Sequence, residues 1–418
     1  MFKRPIAIGL SPNNQADDLK YVYKALFSPN CFKSGKFTGL LSSWFMDYLK
    51  SDNLFFFNSG RSALFCLLKS LSIGPGDEVI VQAFTCVAVP DPVIWVGARP
   101  VFTDIDASLN IKIESLEKAV NNKTKAIIVQ HTFGMPADMD QLLKLARKGK
   151  IPVIEDCALS LGGKYKNKLL GTLGDVSFFS FGRDKVISSV FGGIILCRDS
   201  KLYEKLLEER DKLVYPGPGW VVQQLLHPIL FSIILPLYNF GLGKLTIGKF
   251  LLFLLQKLGI LSRAVYNEEK YGKRPKLFPT KMPGALAHLA LNQLKKLESY
   301  NSHRKDIAKI YSKQLRKTSF KVPPIKQGSI WVRFPLLSDN ALSIIECAKK
   351  KGVLLGDWYK DVVVPVADLS LVRYEKGSCP NAQKFAGRIL NLPTYPTFSE
   401  DQAREVIRLI KACQSTKL

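Results

Sequence analysis

Lys185 lies between an apolar aromatic strand and a glycine pair, in Ser177-Phe-Phe-Ser180-Phe-Gly-Arg-Asp-Lys185-Val-Ile-Ser-Ser-Val-Phe-Gly192-Gly193. An amine in apolar surroundings loses its proton more readily than a surface lysine and becomes a nucleophile. Upstream, Val153-Ile-Glu-Asp156-Cys-Ala158 puts an acid at the carboxyl end of a buried strand, where open α/β sheets bind ligands. Earlier still, Asn58-Ser59-Gly60-Arg61-Ser62-Ala-Leu64 opens a helix directly after the apolar stretch Leu54 to Phe57. Backbone N–H groups at a helix N-terminus, two serine hydroxyls and a guanidinium suit a phosphate. Taken singly, the lysine reads as well as a surface residue, the acid as a helix cap and the turn as an ordinary N-cap.

The order of the three changes that balance. A phosphate turn, then a strand-end aspartate, then Ser-Phe-x-x-x-Lys is the arrangement of a pyridoxal phosphate site. The lysine binds the aldehyde, the aspartate keeps the pyridine nitrogen protonated, and Ser180 with the 59–62 turn grips the phosphate.

Elements that could position these residues follow from the apolar pattern. Ser62 to Leu71 has helical spacing, and Glu78 to Val81 and Pro100 to Thr103 read as strands. Ile113 to Val120 is a helix, Lys125 to Gln130 a strand, Asp138 to Arg147 a helix and Pro152 to Glu155 a strand. This alternation predicts a mostly parallel sheet between helices. Asp104, His131 and Asp156 stand just past strands, so His131 is a candidate for the substrate pocket, with a structural hydrogen bond as the alternative. Pro283 to Leu315 reads as one long helix, Ile330 to Leu337 as a strand, and Ala341 to Lys351 and Glu405 to Cys413 as helices of a smaller α+β domain. The expected organisation is a large domain over 1–282, with a hydrophobic insertion at about 220–265, and a C-terminal domain over 283–418.

The 418 residues carry 60 Lys and Arg against 35 Asp and Glu, a net charge of +25. Such a charge calls for an anionic substrate, a nucleic acid or an anionic membrane surface. No aromatic-basic interleaving supports nucleic acid. Between residues 221 and 265 the charged residues are Lys244, Lys249, Lys257 and Arg263, with no acid. Neither apolar run there reaches the ~20 residues of a bilayer span, and Pro228 and Pro236 are expected to break the first. Two buried helices, a dimer contact or a hairpin dipping into a membrane all fit, with a true spanning segment as the remaining alternative. The basic start Met1-Phe2-Lys3-Arg4 has too short an apolar stretch behind it for a signal peptide. Eight cysteines without a C-x-x-C spacing, mostly in apolar runs, read as reduced thiols in a cytoplasmic protein. Four scattered histidines give no metal centre.

Over most of its length the chain resembles the DegT–DnrJ–StrS sugar aminotransferases of fold-type I. Ser59 to Leu64 is similar to that family's SGT-x-AL phosphate turn, and Gly76 to Val81 with Phe84-Thr-Cys-Val-Ala88 to its GDEVIVP-x-x-TFVAT segment. Pro100 to Asp106 resembles PVFVDID, Gly134 to Met139 resembles GQPADM, and Glu155-Asp156 and Ser180…Lys185 match the cofactor positions. Leu291 to Leu294 with Arg304 and Tyr311, Gly377 to Pro380, and Asn391 to Pro393 resemble later segments.

The resemblance implies a fold-type I large domain with a mostly parallel sheet, and pyridoxal 5'-phosphate held by Ser59, Gly60, Arg61, Ser62, Cys86, Asp156, Ser180 and Lys185. It implies catalysis by Lys185 and Asp156, glutamate as amino donor, a nucleotide-diphosphate keto sugar as acceptor and a homodimer. Relatives that dehydrate sugars carry histidine where this chain keeps Lys185, which implies transamination.

Several positions depart from the pattern. Cys86 replaces an aromatic ring, which implies either weaker stacking there or Phe84 as a substitute. Arg61 replaces a threonine and Leu159 a glutamine, and the N-x-R-M segment reads Pro279-Thr-Lys-Met282. A non-catalytic membrane-surface protein on a degenerate aminotransferase scaffold is the rival reading.

Overall fold

The computed structural model describes residues 4–33, 35–242 and 245–415; Met1 to Lys3 of the basic start and Lys244 of the hydrophobic stretch lie outside them. Seven strands form the central sheet: β1 (Leu54–Phe57), β2 (Glu78–Gln82), β3 (Arg99–Thr103), β4 (Thr124–Gln130), β5 (Val153–Asp156), β6 (Val176–Ser180) and β7 (Gly193–Cys197). Their order is β1-β7-β6-β5-β4-β2-β3. Only β7 runs antiparallel to its neighbours β6 and β1. Side chains alternate across the sheet. Val79 and Val81 pack with Leu64, Leu67 and Leu68 of the helix Gly60–Ser70 on one face. Ile80, Ile127 and Val129 pack with Leu116, Met139 and Leu142 of the helices Ile113–Ala119 and Met139–Lys148 on the other. Burial on both faces explains why these strands are almost wholly apolar.

The register sets the site. Gln130 of β4 pairs with Asp156 of β5, and Asp156 pairs with Phe178 of β6. The carboxyl ends of three strands therefore meet, as expected for a ligand crevice in a doubly wound sheet.

The C-terminal unit is built on the antiparallel pair Phe334–Leu337 and Ile389–Leu392, with the helices Ala341–Lys350 and Glu400–Ser415 packed together. The strand at Ile330 to Leu337 is shorter than expected. The N–H groups of Ile330 and Val332 go instead to Gly134 O and Phe133 O, 3.0 Å each, which ties this segment to the large domain. Ile6–Ala7 pairs in parallel with Val353–Leu354, so the start of the chain joins the C-terminal unit.

Pro283 to Leu315 is two helices, Gly284–Leu294 and Leu297–Leu315. A polar network pins the break: Lys296 Nζ donates to Asp17 at 2.7 Å, and Asn292 and Gln293 donate to Asp18 at 2.7 and 2.6 Å. The first helix packs on Gly35–Leu49 and the second on the C-terminal helix, which one straight rod could not do. The cysteines are not all thiols either. Cys347 and Cys413 form a disulfide between the helices Ala341–Lys350 and Glu400–Ser415. Sequence spacing hid it because the two halves lie 66 residues apart.

The hydrophobic stretch is a helical hairpin: Pro218–Leu237, a short turn of Gly241–Leu242 paired with Leu245–Thr246, and Ile247–Lys257. The first helix runs unbroken through Pro228 and Pro236. Burial of Val221, Leu225, Phe231 and Ile234, with packing on Ala16–Leu26, outweighs the backbone bonds the prolines cannot make.

Candidate active site

A cavity of about 420 Å³ opens at the carboxyl ends of β4, β5 and β6. Ser59, Gly60, Arg61, Cys86, His131, Asp156, Ser180 and Lys185 all line it, so the structure gathers in one place residues that stand far apart in sequence.

The phosphate-type turn is built as the sequence suggests. Ser59 is the N-cap of the helix Gly60–Ser70, and its Oγ accepts from Ser62 N at 3.1 Å. Ser62 Oγ donates to Asn58 Oδ1 at 2.6 Å and lies behind the turn, away from the cavity wall. A Cβ on Gly193 would fall 2.4 Å from the Ser59 carbonyl carbon, and one on Gly60 would fall 2.9 Å from Ser180 Cβ. Only glycines let β7 and β6 close onto the turn this tightly.

Arg61 does not enter the turn. Its Nη1 pairs with the buried Glu269 and its Nη2 donates to Ala264 O at 2.7 Å. Phe84 does not replace the missing ring at Cys86. It is fully buried, edge-on to Tyr359 at 5.3 Å and to Phe133 at 6.3 Å. The aromatic wall comes instead from Trp358 and Tyr359.

Among the described residues, Lys185 has no hydrogen-bond or ion-pair partner at Nζ, although its backbone is held firmly. Asn13 Nδ2 donates to Lys185 O at 2.6 Å, and Arg304 Nη2 donates to Val186 O at 2.7 Å and to Asn13 Oδ1 at 3.2 Å. Burial holds the Lys185 ammonium below its usual range; Arg333 and Arg61 push the same way, against the attraction of Cys86 and Asp156. Burial pushes the Asp156 carboxyl up, and the Ala158 N–H, at 2.9 Å, with Lys185 and His131 opposes it. The cavity thus holds an unpartnered amine, a buried acid and a hydroxyl-lined helix terminus. These groups fit an aldehyde, a ring nitrogen and a phosphate, which are the functional groups of pyridoxal phosphate.

His131 lines the cavity with both ring nitrogens engaged. Nε2 lies 3.1 Å from Glu155 Oε2, and Nδ1 accepts from Ala137 N at 3.1 Å. Glu155 accepts from the Gly171, Leu173 and Gly174 N–H groups as well. His131, Glu155 and Cys157 lie close enough to hold a metal ion, but the first two have spent their ligand atoms, and burial drives the Cys157 thiol well up. Asp104 accepts from Asn381 N and Ala382 N and so caps the helix Pro380–Ala386.

Sequence reasoning missed Arg183, Asp184, Lys270, Arg333, Trp358 and Tyr359, which complete the wall. Arg183 and Asp184 directly precede Lys185 and were open to view. Arg333 lies 3.5 Å from the Trp358 ring centroid, and its Nε is buried without a partner. Trp358 and Tyr359 reach the site because Val363–Val364 pairs in parallel with Thr85–Cys86.

Among curated proteins, the GDP-perosamine synthase of Escherichia coli O157:H7 is 27% identical over 364 residues, 86% of this chain and 85% of its own. The UDP-N-acetyl-3-dehydro-alpha-D-glucosamine 3-aminotransferase of Acidithiobacillus ferrooxidans is 29% identical over 358 residues, 84% and 82% of the two chains. Among solved structures, NtdA of Bacillus subtilis with bound cofactor PMP superposes with a TM-score of 0.76 at 21% identity, over 100% of this chain and 86% of that one. Residues 12–222 and 251–411 match the DegT/DnrJ/EryC1/StrS aminotransferase family, and the unmatched stretch between them falls on the helical hairpin. The chain belongs to the DegT/DnrJ/EryC1/StrS aminotransferase family, whose enzymes work with pyridoxal phosphate.

Proposed function

We propose that this aminotransferase moves an amino group from glutamate to the keto carbon of a sugar carried on a nucleoside diphosphate. The free Lys185 amine facing the same cavity as Asp156 and the Ser59–Gly60 helix terminus carries the reading. The names of its relatives, a GDP-sugar enzyme and a UDP-sugar enzyme, support this acceptor class.

Ser59, Gly60 and Ser180 would hold the cofactor phosphate, Asp156 its ring nitrogen and Lys185 its aldehyde. Pyridoxal phosphate supplies the electron sink on which an amino group is carried between substrates. Lys185, whose proton affinity burial lowers, gives up its proton more readily than a surface lysine and then moves a proton as general acid and base. Asp156 would present its carboxyl to the ring nitrogen, with Lys185 and His131 favouring its ionised form against burial. Arg183, Lys270 and Arg333 line the cavity as cations, suited to the carboxylates of the donor and the phosphates of the acceptor. Buried cations favour such anions more strongly than exposed ones.

The units 1–282 and 283–418 act as the two walls of one site. A second copy completes the site as a homodimer, with the 279–282 segment near the shared edge. A user of nucleotide-linked sugars works in the cytoplasm where they are made, peripheral to the inner membrane face.

The test incubates the protein with glutamate and a panel of GDP- and UDP-linked keto sugars and reads exchange of oxygen for amine by mass. Conversion that Lys185→Ala abolishes supports the reading. No conversion of any sugar, by a protein that binds the cofactor, overturns the acceptor class. The rival reading of a non-catalytic surface protein fails on any such turnover.

A further inference from the structure

We propose that the helical hairpin docks the protein on an anionic lipid bilayer, with the helix Ile247–Lys257 lying in the lipid interface. The docking stands apart from the reading of the site; only what the bilayer would bring near the cavity rests on that reading.

The two helices of the hairpin do different work. Pro218–Leu237 is long and apolar enough to cross a membrane by length and composition, but the protein holds it. Its Gln224 and His227 are fully buried; Ser262 Oγ donates to Gln224 Oε1 at 2.6 Å, and Ser11 Oγ lies 2.6 Å from His227 Nε2. In Ile247–Lys257 only Gly248 is buried. Leu251, Leu252 and Leu255 pack inward against Phe231, Ile234 and Leu261. Ile247, Phe250, Phe253 and Leu258 face outward with 45%, 60%, 63% and 62% of their surface exposed. Spacings of three residues place Ile247, Phe250 and Phe253 along one side of the helix, and Leu258 is its C-cap residue.

Charge decides what covers this side. Lys249 and Lys257 flank the apolar stripe, Arg263 follows, and no acid occurs from residue 221 to 265. A second copy meeting this face symmetrically would set like charges against each other. An anionic lipid surface offers what the face lacks: acyl chains for the phenylalanines and phosphates for the lysines. The chain's net charge of +25 pulls the same way.

The hairpin also returns directly to the cavity. Arg183 Nη1 donates to Ser262 O at 2.7 Å, Arg61 Nη2 donates to Ala264 O at 2.7 Å, and Ala264 and Val265 line the cavity wall. A docked hairpin would therefore hold the cavity mouth close to the bilayer surface.

The test is flotation of the full-length, cofactor-loaded protein with phosphatidylcholine vesicles, with and without phosphatidylglycerol. The expected result is at least tenfold more protein floating with the anionic vesicles. Phe250→Glu/Phe253→Glu should cut that at least tenfold without changing cofactor absorbance or melting temperature. Lys249→Glu/Lys257→Glu should erase the preference for anionic vesicles. Three results would overturn the proposal: no flotation of the intact protein with either vesicle, flotation unchanged in Phe250→Glu/Phe253→Glu, or loss of oligomer by light scattering in that variant with vesicle binding intact. Amination of a soluble nucleotide sugar is scored separately, so a failed docking leaves the reading of the site standing.

Discussion

Arg61 turns its guanidinium onto Glu269, away from the Ser59–Ser62 turn that it helps to form. Glu269 is fully buried and also accepts from Tyr266 N at 2.7 Å. The pair therefore fastens the 266–269 segment to the start of the helix Gly60–Ser70. Breaking a buried ion pair from one side leaves an uncompensated charge, at a cost of about 3–5 kcal/mol. Arg61→Ala should lower the unfolding free energy by about that much in urea titrations. Arg61→Thr with Glu269→Gln should recover most of the loss, because no charge is then left alone. A larger effect on cofactor affinity than on stability would show instead that Arg61 serves the phosphate directly.

Much of this site was legible because its chemistry is local. Ser59 to Ser62, Asp156 and Ser180 with Lys185 each sit at a strand end that the apolar pattern marks, and parallel strands bring their carboxyl ends together by rule. Arg333 and Trp358 were hidden because long-range pairing places them: the N–H of Val332 on Phe133 O, and Val363 beside Thr85. The same limit explains Arg61. Its identity announced a phosphate ligand, but its partner lies in Glu268–Tyr271, a turn with no periodic signal. The break at Lys295 and Lys296 was missed because helical spacing runs on through it, while the acids that bend the chain sit at Asp17 and Asp18.

The depressed proton affinity of Lys185 gives a pH prediction with opposite shifts in two variants. Its folded value lies below the ordinary 10.5, so the neutral amine appears at lower pH than on a surface lysine. Covalent capture of pyridoxal phosphate by the cofactor-free protein should rise with pH, with a midpoint below the ordinary 10.5. Arg333→Met removes a cation that disfavours the ammonium, so the curve should move to higher pH. Asp156→Asn removes an attracting anion, so it should move to lower pH. Between the folded and unfolded values the unfolded chain binds more protons, so stability should rise with pH in that window. Stopped-flow absorbance checks the curves, and shifts of the same sign in both variants would refute the assignment.

Arg304 is expected to position Lys185. It is buried on Leu297–Leu315, yet its Nη2 reaches Val186 O, one residue past the amine. Arg304→Met removes the shorter bond to that carbonyl and leaves Asn13 Nδ2, at 2.6 Å from Lys185 O and 3.4 Å from Val186 O, to hold the segment. Hydrogen bonds to charged groups contribute about 1.5–3 kcal/mol each, so a loss of stability of that order is expected. The specific signature is slower reductive trapping of cofactor on the Lys185 peptide by borohydride, with KM for the acceptor little changed. Asn13→Ala should show the same trapping defect. A variant that melts earlier but traps at the normal rate would confine Arg304 to the fold.

Glu155 offers the sharpest acid limit on stability. Burial would raise its carboxyl, but His131 and the N–H groups of Gly174 and Gly171 more than offset that and hold it below the ordinary 4.5. A carboxyl depressed in the folded state stabilises fully above its unfolded value and loses that contribution as pH falls through the folded one. Stability should therefore decline below pH 4.5 with a component that Glu155→Gln removes. Gln keeps one acceptor oxygen, and its amide nitrogen must face an N–H that Oε1 or Oε2 now accepts. Leaving such a buried donor unpaired costs about 1–3 kcal/mol at neutral pH. The variant should thus be weaker than the native protein at pH 7 and nearly its equal at low pH, as read by urea unfolding across that range.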